Sequence, residues 1–195
     1  TNGTNVAVGF QSLATQNAGA NAYSVAVGYL AGFAITTGVE NILIGGNAGD
    51  ALTSGAYNIA IGRNALGSED AHGRNVAVGH SALATQDAGA DAYNVAVGYH
   101  AGKEITTGLQ NTIIGGLAGD ALTTGGQNVA VGYEALSSED AGYFNTAVGF
   151  RALKIQDAGN AYNTAVGYHA GLQVSTGVGN SIVGGAAADA LTTGS

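Results

Sequence analysis

At 195 residues, with 34 glycines, no proline, cysteine, methionine or tryptophan, and a formal net charge of −8, the chain fits neither collagen nor a disordered linker. Lack of cysteine excludes a disulfide framework and thiolate metal sites, and the five scattered cations (Arg63, Arg74, Lys103, Arg151, Lys154) cannot form the basic patch that nucleic acid or an anionic membrane requires. No apolar run approaches the roughly 18 residues that span a bilayer, so no membrane insertion is expected of this segment.

In chain order, a phrase of the type Asn-x-Ala-Val/Ile-Gly recurs eleven times. It runs from Asn5 to Gly9, Ser24 to Gly28, Asn41 to Gly45, Asn58 to Gly62, Asn75 to Gly79 and Asn94 to Gly98, then starts again at Asn111, Asn128, Asn145, Asn163 and Asn180. The steps are 19, 17, 17 and 17 residues, the same four again, and then 18 and 17. A period below about 20 residues makes each repeat one coil of a stack. Each set of four coils spans 70 residues, so residues 1–195 are expected to form a single repeat array, with long repeats 5–74 and 75–144 and a partial one, 145–195. The predicted fold class is all-β, a β-solenoid of about eleven coils of 17–19 residues. The chain opens without methionine and begins and ends inside the repeat, so it reads as a segment of something longer.

Within the phrase, alternation predicts a strand with Val6 and Val8 on one side and Ala7 on the other. The fourth position is always Val or Ile, whereas the second admits Thr112, Thr146, Thr164 and Ser181. The fourth is therefore expected to be fully buried and the second partly so. Glycine closes every phrase (Gly9, Gly45, Gly79, Gly115, Gly149 and their equivalents), which implies a backbone angle closed to other residues or a neighbour too close for a Cβ. Three residues on, alanine in ten coils and Ser12 in the eleventh mark a second inward site. The leading asparagine (Asn5, Asn41, Asn75, Asn111, Asn145 and others) recurs in ten of eleven coils. Stacked at about 4.8 Å, these side chains would form a hydrogen-bonded amide ladder, although asparagine also suits a turn.

Beyond the small residue, some coils place Leu13, Leu66, Leu83, Leu136 or Leu153 directly after it. Others carry Ile35, Leu52, Ile105, Leu122, Val174 or Leu191 before a Thr/Ser-Gly stretch, where a second short strand is expected. The two coil types fill the same interior from different positions. The segment from Ile155 to Tyr162 is one residue shorter than its counterparts, as a loop allows.

Little here points to catalysis. Asp50, Asp120 and Asp189 stand in Gly-Gly-x-x-x-Asp-x-Leu stretches close to a calcium-binding nonapeptide, but the copies lie 70 and 69 residues apart, so they are weak calcium candidates beside a turn-capping role. One hexapeptide-like unit per coil falls short of an acyltransferase β-helix, and His72, His80, His100 and His169 do not form a catalytic set. Glu69-Asp70 and Glu139-Asp140 are expected to be solvated. No catalytic residue, no cofactor and no enzyme activity are expected. Aromatic residues follow the glycine (Phe10, Tyr29, Tyr99, Tyr133, Phe150, Tyr168) or precede the phrase (Tyr23, Tyr57, Tyr93, Phe144, Tyr162). They should form rows along the rod, with Tyr29, Tyr99 and Tyr168 as a contact surface for further copies of the chain, a glycan or a protein receptor.

Over the whole chain, Asn-Val-Ala-Val-Gly and Asn-Thr-Ala-Val-Gly followed by x-x-Ala resemble the head repeats of trimeric autotransporter adhesins and the repeats of phage tail fibres. The coils are longer than those of adhesin heads, which favours the fibre type. The resemblance implies a left-handed parallel β-roll, a homotrimer whose conserved strands line a shared interior, and an extracellular, cell-surface or virion appendage acting in attachment. A self-polymerising filament is the alternative, and an ice-binding solenoid is disfavoured because Thr36-Thr37 and its equivalents occupy only two coils of every four.

Overall fold

The computed structural model describes residues 4–19 and 21–194; the outer limits of the array read from the sequence, residues 1–3 and 195, and the loop position 20 lie outside the described residues. Each coil contributes one three-residue strand at the centre of its Asn-to-Gly phrase. These are β1 (Val6–Val8), β2 (Val25–Val27), β3 (Ile42–Ile44), β4 (Ile59–Ile61), β5 (Val76–Val78) and β6 (Val95–Val97). They continue as β7 (Thr112–Ile114), β8 (Val129–Val131), β9 (Thr146–Val148), β10 (Thr164–Val166) and β11 (Ser181–Val183). All eleven join one parallel sheet in chain order, each pairing with the same positions one coil on, as Val95 with Thr112 and Val97 with Ile114. The fold is an all-β parallel solenoid of about ten turns. Among the described residues there is no helix, hence none able to cross a membrane.

The inward face of the strand differs from the sequence expectation. The third position of the phrase points into the coil, and the valines and isoleucines on either side of it point out. Ala26, Ala60, Ala77 and Ala96 are fully buried, whereas Ile44 is 37% exposed, Ile114 39%, and Val27, Ile61, Val78 and Val97 are half-buried. The reason is the thickness of a single-chain coil. Its far wall already delivers one large aliphatic residue per coil, so only a methyl group fits beneath. That residue comes from Leu13, Leu66, Leu83, Leu136 and Leu153 in some coils and from Ile35, Leu52, Ile105, Leu122 and Val174 in others, all buried. In the second type glycine takes the leucine position: a Cβ on Gly49 or Gly119 would press on Leu43 and Leu52 or on Ile113 and Leu122. The third strand position enlarges in alternate coils of this type, to Leu43, Ile113 and Ile182, and stays alanine (Ala26, Ala96, Ala165) in the coils of Gly32, Gly102 and Gly171.

Among the described residues no second strand forms in the far wall. Ile35-Thr-Thr-Gly38 and its equivalents are bends, tied coil to coil by backbone N–H groups that converge on one carbonyl, as those of Thr36, Thr37 and Gly38 do on Thr53 O at 2.8–3.3 Å. Many non-glycine residues there and at the corners adopt left-handed backbone angles, including Leu30 (φ 54°) and Tyr93 (φ 53°). Such angles cost about 1 kcal/mol or more in isolation, so the stacked coils must impose them. All the phrase-ending glycines but Gly184, in the last coil, meet both conditions set out above. Gly98 has φ 143°, and a Cβ on it would run into the carbonyl of Gly115 one coil on.

Candidate interaction face

Asparagines form a buried spine beside the sheet. The amide oxygen of each accepts the backbone N–H of the asparagine one coil on: Asn58 from Asn75 at 3.0 Å, Asn94 from Asn111 at 2.8 Å, Asn111 from Asn128 at 3.0 Å. The amide nitrogen donates to the carbonyl 14 residues ahead, as Asn94 to Gly108 at 2.7 Å and Asn111 to Gly125 at 2.9 Å. The bonds therefore run mainly from side chain to backbone, with amide-to-amide contact only at pairs such as Asn128 to Asn111 (3.2 Å). Asn5, at the start of the spine, accepts from Ser24 N–H at 2.9 Å. In Asn75 and Asn145 the amide nitrogen has no partner, because the longer loop of these coils removes the carbonyl.

Strand alternation places four outward columns on the sheet: the residue before Asn, the second and fourth phrase residues, and the residue after Gly. The middle two are Val, Ile, Thr or Ser, and half of the outer positions are Phe or Tyr, interrupted by residues such as Glu40, Arg63, Arg74, Gln110, Gln127 and four glycines. At about 3.3 Å per residue and 4.8 Å per strand, this face measures roughly 15–20 Å by 50 Å, on the order of 800–1,000 Å². A typical monomer exposes a largest apolar patch of about 300–600 Å². Stacked rings run along its edges. Tyr29 lies 5.5 Å from Phe10, Tyr99 5.5 Å from His80, and Tyr168 5.4 Å from Phe150, which in turn lies 5.6 Å from Tyr133. On the other edge Phe144 stacks on Tyr162 at 4.9 Å, and the Arg74 guanidinium lies between Tyr57 and Tyr93. The row that holds Tyr29, Tyr99 and Tyr168 breaks at Gly46, Gly116 and Gly185. His100 and His169 stack beside Tyr99 and Tyr168 at 3.9 Å.

Asp50, Asp120 and Asp189 sit one per long repeat on another side of the coil. Asp50 accepts from the Asn47 amide at 2.7 Å, and burial raises the pKa of Asp120. Among the described residues no group of three or more His, Cys, Asp or Glu side chains is placed to hold a metal ion.

Glu69 and Glu139, expected in solvent, are fully buried. They occupy the inward site that holds Ile35 or Leu52 in other coils and Gln86 or Gln156 in the coils that follow. The sequence signal was their place in this column, every fourth coil. Burial, and then the charge of Asp157, push the Glu139 pKa up to about 7, against the opposing backbone N–H groups of Gly142, Ala158 and Asp140. Burial also raises Glu69, opposed by the His72 backbone N–H and imidazole and reinforced by Asp87. A carboxyl whose pKa is higher in the folded chain stabilises it most when protonated. Glu139 should therefore cost nothing below its ordinary value near 4.5, and an increasing amount as the pH rises towards 7, levelling at about 3 kcal/mol. Urea unfolding at pH 4.5, 6 and 8 should show Glu139→Gln gaining on the native chain over that window; a constant difference would refute the assignment.

No protein-family model matches the chain, and no curated protein or solved structure matches it either.

Proposed function

We propose that the chain is a rigid structural segment of a surface or virion appendage that acts in attachment, built as a left-handed homotrimer in which three copies pack their outward sheet faces together. The observation that carries this reading is the size of the apolar face. With its polar edge positions included, that face matches the roughly 800 Å² per partner of a stable protein interface.

The edge columns support a parallel, in-register arrangement. In a ring of such copies, the residue before Asn on one chain meets the residue after Gly on its neighbour. In four of the eleven coils these two positions are both aromatic although they lie on opposite edges of one chain, while Tyr57 goes with Arg63 and Gln127 with Tyr133. Tyr23 goes with Tyr29, Tyr93 with Tyr99, Phe144 with Phe150 and Tyr162 with Tyr168, whereas Glu40 and Gln110 go with Gly46 and Gly116. Aromatic pairs of this kind contribute about 0.5–1.5 kcal/mol each beyond their area.

Light scattering on a size-exclusion column at two concentrations should give a constant mass near three times 19.0 kDa. Val97→Glu with Val131→Glu, both on the outward face, should reduce that mass to one chain while leaving the solenoid folded. A monomeric native chain would overturn the shared face, and a mass that climbs with concentration would favour an end-to-end filament.

A further inference from the structure

A groove of about 200 Å³ opens at the corner between the far wall and the sheet face, lined by Thr107, Leu109, Gln110, Gly126, Gln127 and Tyr143. Its floor is the backbone of Gly126, where a Cβ would press on the Leu109 carbonyl (2.8 Å) and the Tyr143 ring (3.0 Å). The Tyr143 hydroxyl donates to Thr124 O at 2.8 Å, which fixes the ring as one wall. Along the rim, Gln127 Nε2 donates to Gln110 Oε1 at 3.0 Å. That bond turns the Gln110 NH₂ and the Gln127 Oε1 to a further partner.

Gln110 and Gln127 stand before the asparagine, on one edge of the outward face. On the opposite edge of the eighth coil stands Tyr133, 45% exposed. Its ring lies against Gly116 of the seventh coil, 3.5 Å from where a Cβ would stand. Ring and groove thus occupy the same level of the rod, that of the seventh and eighth coils. Six residues of extended chain, about 20 Å, separate Gln127 from Tyr133, so the two cannot meet within one chain.

The first long repeat has neither half of this arrangement. Seventy residues earlier the floor is Ala56, the wall is Gly73, Tyr57 replaces Gln127, and Arg63 replaces Tyr133. A guanidinium opposite Tyr57 suits a cation–π contact and needs no cavity, whereas a ring opposite a glycine floor suits insertion. Groove and ring change together between the two long repeats although no contact within the chain links them.

We infer that the groove is a socket for the partner's Tyr133, the partner being a second copy of this chain in the same axial register. This rests on the shared sheet face and adds to it what sets the register. In the ring of copies, the residue before Asn meets the residue after Gly of the next copy at the same level. Gln127 then faces the partner's Tyr133, and Gln110 faces the partner's Gly116, which leaves the ring room to enter. The face of the phenol rests on Gly126 and against Tyr143, and its hydroxyl donates to Gln127 Oε1 or accepts from the Gln110 NH₂. A slip of one coil in one direction brings the partner's Gly116 opposite Gln127 and leaves the socket empty. A slip in the other brings the partner's Phe150, which has no hydroxyl for the amides.

The test is a double-mutant cycle on assembly of the full chain, read as the midpoint concentration of dissociation in sedimentation runs over a dilution series. Tyr133→Ala should raise that midpoint about tenfold or more, and Gln127→Ala severalfold. The double variant should lose no more than Tyr133→Ala alone. Substitutions this far apart in one chain otherwise act independently, so only a contact between chains couples them. Gly126→Ala should also raise the midpoint by filling the floor, with an unchanged circular dichroism spectrum, since Ala56 fits that place in the first long repeat. A trimer in which the two losses multiply, or which Gly126→Ala leaves untouched, would overturn the socket and keep the shared face. A native chain that is monomeric at every concentration would remove both.

Discussion

Alanine at Gly98 should unfold the rod at its centre, whereas the same change at Gly184 should cost only a fraction as much. Both glycines close a phrase and both have a backbone angle that L-residues rarely adopt, φ 143° and 130°. Holding alanine there costs about 1–3 kcal/mol of strain at either site. Their surroundings differ. A Cβ on Gly98 would strike the carbonyl of Gly115, part of a backbone stacked on both sides and unable to retreat, whereas one on Gly184 would meet only the Ala187 methyl at 3.6 Å. Overpacking against backbone adds about 1–3 kcal/mol, so Gly98→Ala should lose some 3–5 kcal/mol in all. In a solenoid, stability is close to a sum of coils and of the interfaces between neighbours, so a defect between β6 and β7 should also split unfolding into two transitions. Urea and thermal unfolding followed by circular dichroism would read both effects. Equal losses at the two sites would mean that backbone angle alone selects glycine, and that contact between coils does not.

Much of the architecture lies open in the sequence because a solenoid writes the same local problem eleven times. The period, the positions of the strands and the two ways of filling the interior all follow from spacing and residue size. Which strand face turns inward does not follow from the hydrophobicity of Val8 or Val27, since an apolar column can face a coil interior or a partner surface. The deciding signal is volume compensation. The third phrase position grows to Leu43, Ile113 or Ile182 only in coils that carry Gly49, Gly119 or Ala188 in place of leucine, and where it stays alanine beside Gly32 or Gly171 the large residues of the neighbouring coils fill the space, Leu13 and Leu43 or Leu153 and Ile182. The buried glutamates were hidden for a related reason: Glu69-Asp70 looks like a solvated pair until Glu69 is aligned with Ile35 and Leu52. The outward face and the groove depend on three-dimensional adjacency between coils, as with Gln110, Gln127 and Tyr143, which no single coil displays.

The asparagine spine makes the sharpest prediction about individual residues, because one coil has replaced its asparagine already. Ser24 Oγ accepts the Asn41 N–H at 3.2 Å but is too short to reach the Gly38 carbonyl; the Gln16 amide of the preceding coil takes that carbonyl instead, at 3.0 Å. Seventy residues on, Gln86 stands in the same relation to Asn94, accepting from its amide at 2.6 Å. Asn94→Ser should therefore cost only about 1 kcal/mol, since Gln86 can turn to the Gly108 carbonyl that Asn94 now holds, at the expense of its own Oε1, which is left without a donor as Gln16 Oε1 is beside Ser24. At Asn111 the corresponding neighbour is Ile105, which can donate nothing. Asn111→Ser should leave the buried Gly125 carbonyl orphaned and cost about 2 kcal/mol, and Asn111→Ala, which also strips the partner from the Asn128 N–H, about 3–4 kcal/mol. Asn94→Ser with Gln86→Leu should then become as costly as Asn111→Ser. Urea unfolding of these four variants decides the matter. Serine tolerated equally at both positions would show that the side-chain bond to the glycine carbonyl contributes nothing, and that asparagine is held in the spine by its acceptor alone.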